Sequence, residues 1–220
     1  MTNNEFQTAL APRVKKLADL RQEAISIARG IIGESLFKED LYFCSALDRC
    51  MSLIDGFIPM LEFRNLSCVG ALLRVQMDNC MRTYAAFIAK GKQAVIDCII
   101  SGERIDKQVD VNGKQLRDGH LKHELSKIDP KFEQVYNRAS GFIHLSSAAF
   151  YQTVVGLDDY KIEFQVGREL PEDKNPVLLE GADAFIHFVK LHFKMLYAVV
   201  ESKQRADAAM EEKDRLDADK

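Results

Sequence analysis

The sequence predicts an all-α helical bundle with a small β-hairpin or short two-stranded element, and three observations carry that expectation. Apolar residues recur at three- and four-residue spacing over most of the chain. Gly33, Gly91 and Gly102 each follow such a run, where a helix would stop. Only "VDVNGKQL" and "KIEFQV" alternate apolar and polar residues with the period of a half-buried strand.

Taken in order, Val14, Leu17, Leu20, Ile25, Ala28 and Ile31 predict an amphipathic helix over 12–32, opened by Pro12. A second helix is expected over 39–63, bent or interrupted near Gly56 and Pro59, because proline lacks a backbone donor and crowds the preceding turn. A third covers 66–90, and "KQAVIDCIIS" makes a shorter fourth. Asn112-Gly113 then marks a tight turn needing positive φ, between segments that form a small hairpin or ordered loop. Helical pattern returns over 117–128, and Pro130 opens a further helix carrying "YNRASGFIHLSSAAF". In "YKIEFQV", Ile162, Phe164 and Val166 alternate with charged and polar residues, a strand expected to pair with the 109–116 segment. From Pro176 the pattern is helical to near the end. Residues 1–200 read as a single bundle domain, and 201–220 as a charged helical extension or frayed tail.

With 47% hydrophobic and 29% charged residues in 220, the chain can bury one sizeable core. A net charge of −3 supplies no global positive field, so contact with nucleic acid would need a local basic patch. Cys44, Cys50, Cys68, Cys80 and Cys98 form no C-x-x-C pair and mostly fall in apolar helical patterns, as reduced core thiols of a cytoplasmic protein do. Neither a signal peptide nor a membrane span is legible, since Lys190 and Lys194 break the most apolar late stretch. The lack of a Gly-rich phosphate loop counts against a nucleotide-binding α/β enzyme.

On a helical wheel, Asn137, Ser140, Gly141, His144, Ser147 and Tyr151 share about one third of the circumference, and Ser146 is a further polar residue of the same run. Arg138 lies about 120° from His144 on an ideal helix. It would have to reach around. Arg74, Asp78 and Arg82 form a charged line at four-residue steps along the third helix, readable as a salt-bridge ladder or as positive charge near His144. "HLKHE" could present His120 and His123 on one face beside Glu124, but no third ligand stands at a recognised metal spacing. His187 and His192 read as residues at the boundary between core and solvent.

Arg138-x5-His144 in this helix, preceded by the long helix "GALLRVQMDNCMRTYAAF", resembles the R-x(4–6)-H signature of the HEPN superfamily over about residues 36–155 in element order. A second match, Arg117-x5-His123, has Asp118 after its arginine. The 138–144 match is preferred because it lies in a longer amphipathic pattern with a small-polar face. The resemblance implies a helical bundle that dimerises and cuts RNA without metal or other cofactor, in a toxin or defence setting with a protein antitoxin or regulator as partner. Arg138 and His144 would be catalytic, the arginine holding the scissile phosphate and the imidazole moving protons. Asn137, Ser140, Arg74, Asp78 and Arg82 would support the site. The alternative is a non-catalytic helical binding or regulatory module. A homodimer is expected independently, because apolar residues surround the 185–200 helix and leave more than one face to bury.

Overall fold

The computed structural model describes residues 1–144, 154–158, 161–164, 166–167 and 169–218. Among them are seven α-helices: α1 (Asn3–Ile32), α2 (Lys38–Glu62), α3 (Leu66–Ile88), α4 (Lys92–Ile100), α5 (Asp118–Ile128), α6 (Phe132–Ser140) and α7 (Asn175–Ala218). Strands β1 (Val154–Asp158) and β2 (Lys161–Phe164) pair antiparallel. The all-α bundle with a small two-stranded element is therefore the fold of this chain. No helix among the described residues is long and apolar enough to cross a membrane.

The first helix starts earlier than its apolar pattern, because a local cap overrides the proline signal. The Thr2 hydroxyl accepts from the Glu5 amide at 3.3 Å, and the Glu5 carboxylate accepts from the Thr2 amide at 2.8 Å, satisfying two free donors of the first turn. Pro12 consequently lies inside α1. Helix α2 runs unbroken past Pro59 to Glu62. It stops at Arg64, whose φ of 53° lies in the left-handed region. The Arg64 side chain holds that conformation by donating to Asn175 Oδ1 at 2.9 Å and the Leu170 carbonyl at 2.6 Å. Asn175, fully buried, in turn donates to the Met1 carbonyl at 3.2 Å. One side chain thus ties the α2–α3 corner to the start of α7 and the N-terminus.

Long α7 packs on α1 and α3, and α2 packs on both of those helices. Phe6, Leu17, Ile27, Phe43, Phe57, Phe185, Phe188 and Phe193 fill the space between them. Phe57 and Phe185 stack with ring centroids 3.8 Å apart. At the far end, Lys203 of α7 and Asp40 of α2 form a buried ion pair at 2.7 Å. Lys203 also donates to the Ser35 carbonyl and sits over the Phe37 ring.

The Asn112-Gly113 turn forms as expected, with Gly113 at φ 79°. Buried Asp110 organises it by accepting from the Asn112 and Lys114 amides, each at 2.8 Å. Val109 bridges Gln115 and Asp110 bridges Ala89, so this segment closes on itself and on the end of α3. It does not take up the 161–164 strand, whose partner is β1, the nearer segment in the chain. The helix expected to run on through "GFIHLSS" ends at Ser140. The amides of Gly141, Phe142 and Ile143 donate three residues back, to Arg138, Ala139 and Ser140, tightening the chain into turns. Ser146, Ser147 and Tyr151 lie outside the described residues.

His192 is a core residue rather than the boundary residue its spacing indicated. It is fully buried on α7 and shares a hydrogen bond of 2.9 Å with Thr83 of α3. Burial depresses its pKa to about 3. The unfolded chain, with a free imidazole near 6.5, therefore takes up a proton that the folded chain refuses. The stability due to this group is complete above about pH 6.5 and is lost as pH falls towards 3. Between about pH 7.5 and pH 5 the His192 contribution should fall by roughly 2 kcal/mol. Urea denaturation of wild type and His192→Gln at both pH values checks this: the variant should lose less stability on acidification, and equal losses would exclude the assignment.

Candidate functional site

Arg74 lies on the side of α3 that meets α6, and its side chain is only 12% exposed. A guanidinium in that position must have its charge and donors matched. Asp78, one helical turn on, pairs with it at 2.6 Å. Nε donates to Ser140 Oγ at 3.2 Å, Nη2 donates to the Tyr136 hydroxyl, and the guanidinium carbon stands 3.6 Å from the Tyr136 ring centroid. Ser140 completes the arrangement by donating to the Tyr136 carbonyl at 2.8 Å. Burial holds the Tyr136 phenol above its usual range, against the pull of Arg74, so at neutral pH it is an uncharged acceptor for Arg74.

The seam continues towards α5. Lys122 donates to Asn137 Oδ1 at 3.1 Å and pairs with Glu133 at 2.9 Å. Arg82 does not extend an intrahelical ladder from Asp78 but pairs with Asp118 of α5 at 2.6 Å. Asn137, Ser140, Arg74, Asp78 and Arg82 therefore all belong to the α3–α5–α6 seam.

Arg138 leaves that seam. It reaches α7 and meets Glu180 at 3.2 Å, with both side chains largely exposed. The pair edges a cleft of about 210 Å³ lined by Val69, Gly70, Leu73, Val135, Phe142 and Ala184 among others. Phe142 lies so close to Gly70 that a Cβ there would collide with its ring. His144 is exposed, at the end of the turns that follow α6. It is not among the residues lining this cleft.

In the second Arg-x5-His match only the arginine lines a cleft. Arg117 precedes the first turn of α5 and lines a different cleft with Arg82 and Arg104, whereas exposed His123 lies further along α5. His120 is held by Asp110 at 2.9 Å. Among the described residues, no group of three or more His, Cys, Asp or Glu side chains is disposed to hold a metal. The five cysteines are free thiols, and burial raises the Cys50 thiol to about 12, far from a reactive thiolate at neutral pH.

Tyr136, Lys122 and Glu180 were not singled out by the sequence, and Asp118 was noted only as the residue after Arg117. For Tyr136 a signal existed: Tyr136, Ser140 and His144 follow one another at four-residue steps, matching the Arg74-Asp78-Arg82 line opposite. Nothing local marks Glu180 or Asp118 as an arginine partner. No family model, curated protein or solved structure matches this chain.

The Arg74 lock should be a stability element. Arg74→Ala, which strands Asp78 and the Tyr136 hydroxyl, is expected to cost about 2–3 kcal/mol, and Arg74→Lys should not restore it, because a point ammonium cannot reproduce the planar fork. Tyr136→Phe should cost about 1 kcal/mol. Urea denaturation of the single and double variants should show coupling above about 0.5 kcal/mol, and strict additivity would rule out the lock.

Proposed function

We propose that the chain is a non-catalytic helical binding or regulatory module. The observation that carries this reading is the pairing of Arg138 with Glu180 of α7. An arginine that clamps a scissile phosphate needs its guanidinium free to face the reacting group and the proton-transfer residue. Here its charge is answered by a carboxylate at the edge of an apolar cleft, and His144 is not among the residues lining that cleft. Arg74, the other arginine close to α6, already has Asp78, Tyr136 and Ser140 as partners.

A second reading, metal-independent RNA cleavage of the HEPN type, keeps one observation in its favour. His144 is exposed, so a substrate can reach it, and it lies four residues beyond Ser140, on which Arg74 rests. In that case RNA is the substrate, and a protein antitoxin or regulator would control access. The discriminating experiment is incubation of mixed RNA with the protein in the presence of chelator. A binding module leaves the RNA intact, and His144→Ala and Arg138→Ala change nothing. Cleavage that falls roughly 10²- to 10⁴-fold in His144→Ala would replace the module with the nuclease.

Self-association into a homodimer is part of the proposal. It is supported by Ile32, Leu36, Phe37 and Leu41, which are exposed around the α1–α2 corner. Sedimentation at micromolar concentration should give a dimer, and a monomer unchanged on dilution would remove this part.

A further inference from the structure

A cleft of about 690 Å³ opens between α3, the turn after α4 and the head of α5. Three elements send arginines into it: Arg82 from α3, Arg104 from the turn and Arg117 from the residue before α5. Glu103, Asp106 and Asp118 line it too, so its charge is balanced in sum. The pairing is uneven, however. Arg82 is taken by Asp118 at 2.6 Å and Arg104 by Asp106 at 2.5 Å. Among the described residues, Arg117 and Glu103 have no side-chain partner, and both are exposed.

The cleft therefore presents one free guanidinium, one free carboxylate and an apolar wall from Ile99 and Ile105. The first-turn amides of α5 open at the same edge, and at Gly119 a side chain would meet nothing, so a ligand can approach the backbone there. A guanidinium beside free amides matches phosphate oxygens. A carboxylate accepts from the ring N–H and amino group of a base such as guanine, and an aliphatic wall covers the face of the ring. The volume is within the range of small-ligand sites, roughly 300–1,000 Å³.

We propose that this cleft binds a nucleoside monophosphate whose base carries amino donors, with Arg117 on the phosphate and Glu103 on the base edge. The site is distinct from the Arg138–Glu180 cleft and from His144, so the proposal stands or falls independently of whether the protein cuts RNA. The chain has no Gly-rich phosphate loop. Recognition here needs none, because side chains and a helix head supply the donors.

Isothermal titration calorimetry at low ionic strength with guanosine monophosphate, guanosine, uridine monophosphate and inorganic phosphate tests this. Saturable binding of guanosine monophosphate is expected. Guanosine and inorganic phosphate should each bind at least about 10-fold more weakly, since each lacks one half of the recognition. Arg117→Ala should weaken guanosine monophosphate at least about 10-fold. Glu103→Gln should narrow its advantage over uridine monophosphate, which lacks the amino group. Both side chains are exposed, so the variants should melt like wild type, and Arg138→Ala should bind normally. No saturable binding, equal affinity for inorganic phosphate, or an Arg117→Ala variant that binds as wild type does would each overturn the proposal.

Discussion

Helix α3 is enclosed by α2, α4, α5, α6 and α7, and that enclosure governs the rest of the molecule. A helix packed on so many sides buries several of its polar residues, and Asn79 and Thr83 take their partners from neighbours. Thr83 shares a bond with His192 of α7, Asn79 donates to the Ala46 carbonyl of α2, and the Arg82 carbonyl accepts the Tyr42 hydroxyl. Arg74 turns to Tyr136 and Ser140 of α6 and Arg82 to Asp118 of α5. These bonds tie α3 to α2, α5, α6 and α7.

The orientation of α6 follows directly. Residues 136 and 140 are one turn apart on the same face, and both face Arg74. Residue 138 lies about 200° from residue 136 on an α-helix and must then look the other way. Glu180 of α7 waits there, and the ion pair forms. Arg138 thus points away from the face that Tyr136 and Ser140 present to Arg74. The end of α6 at Ser140 has a second effect, since a wheel drawn through His144 assumes a helix that has already given way to turns.

The electrostatics show how a net charge of −3 distributes itself. Several arginines are matched with nearby carboxylates: Arg13 with Asp183, Arg21 with Asp55, Arg74 with Asp78, Arg82 with Asp118 and Arg138 with Glu180. Most of these pairs are solvent-exposed and contribute little to stability individually. Their larger effect is on chemistry, because a paired guanidinium offers less to a ligand. Of the three arginines that line the cleft at the head of α5, Arg82 and Arg104 have such a partner and Arg117 has none among the described residues.

From the sequence alone came the helical class, the approximate spans of α2 to α5, the start of α7 and the turn at Asn112-Gly113. Hydrophobic period, glycine stops and turn dipeptides are local signals, written within a few residues of where they act. The start of α1 was equally local, in the Thr2–Glu5 box, but Pro12 was the stronger visible mark. The five residues expected to support the motif were also legible as polar positions on apolar helices, and they do gather in one seam. Tertiary structure alone decided which groups they meet. Arg138 with Glu180, Thr83 with His192, Arg74 with Tyr136 and Arg64 with Asn175 join residues 42 to 111 positions apart. Periodicity places a side chain on a face of its own helix, but the partner across that face depends on how two helices dock, and docking is set by burial summed over the whole core.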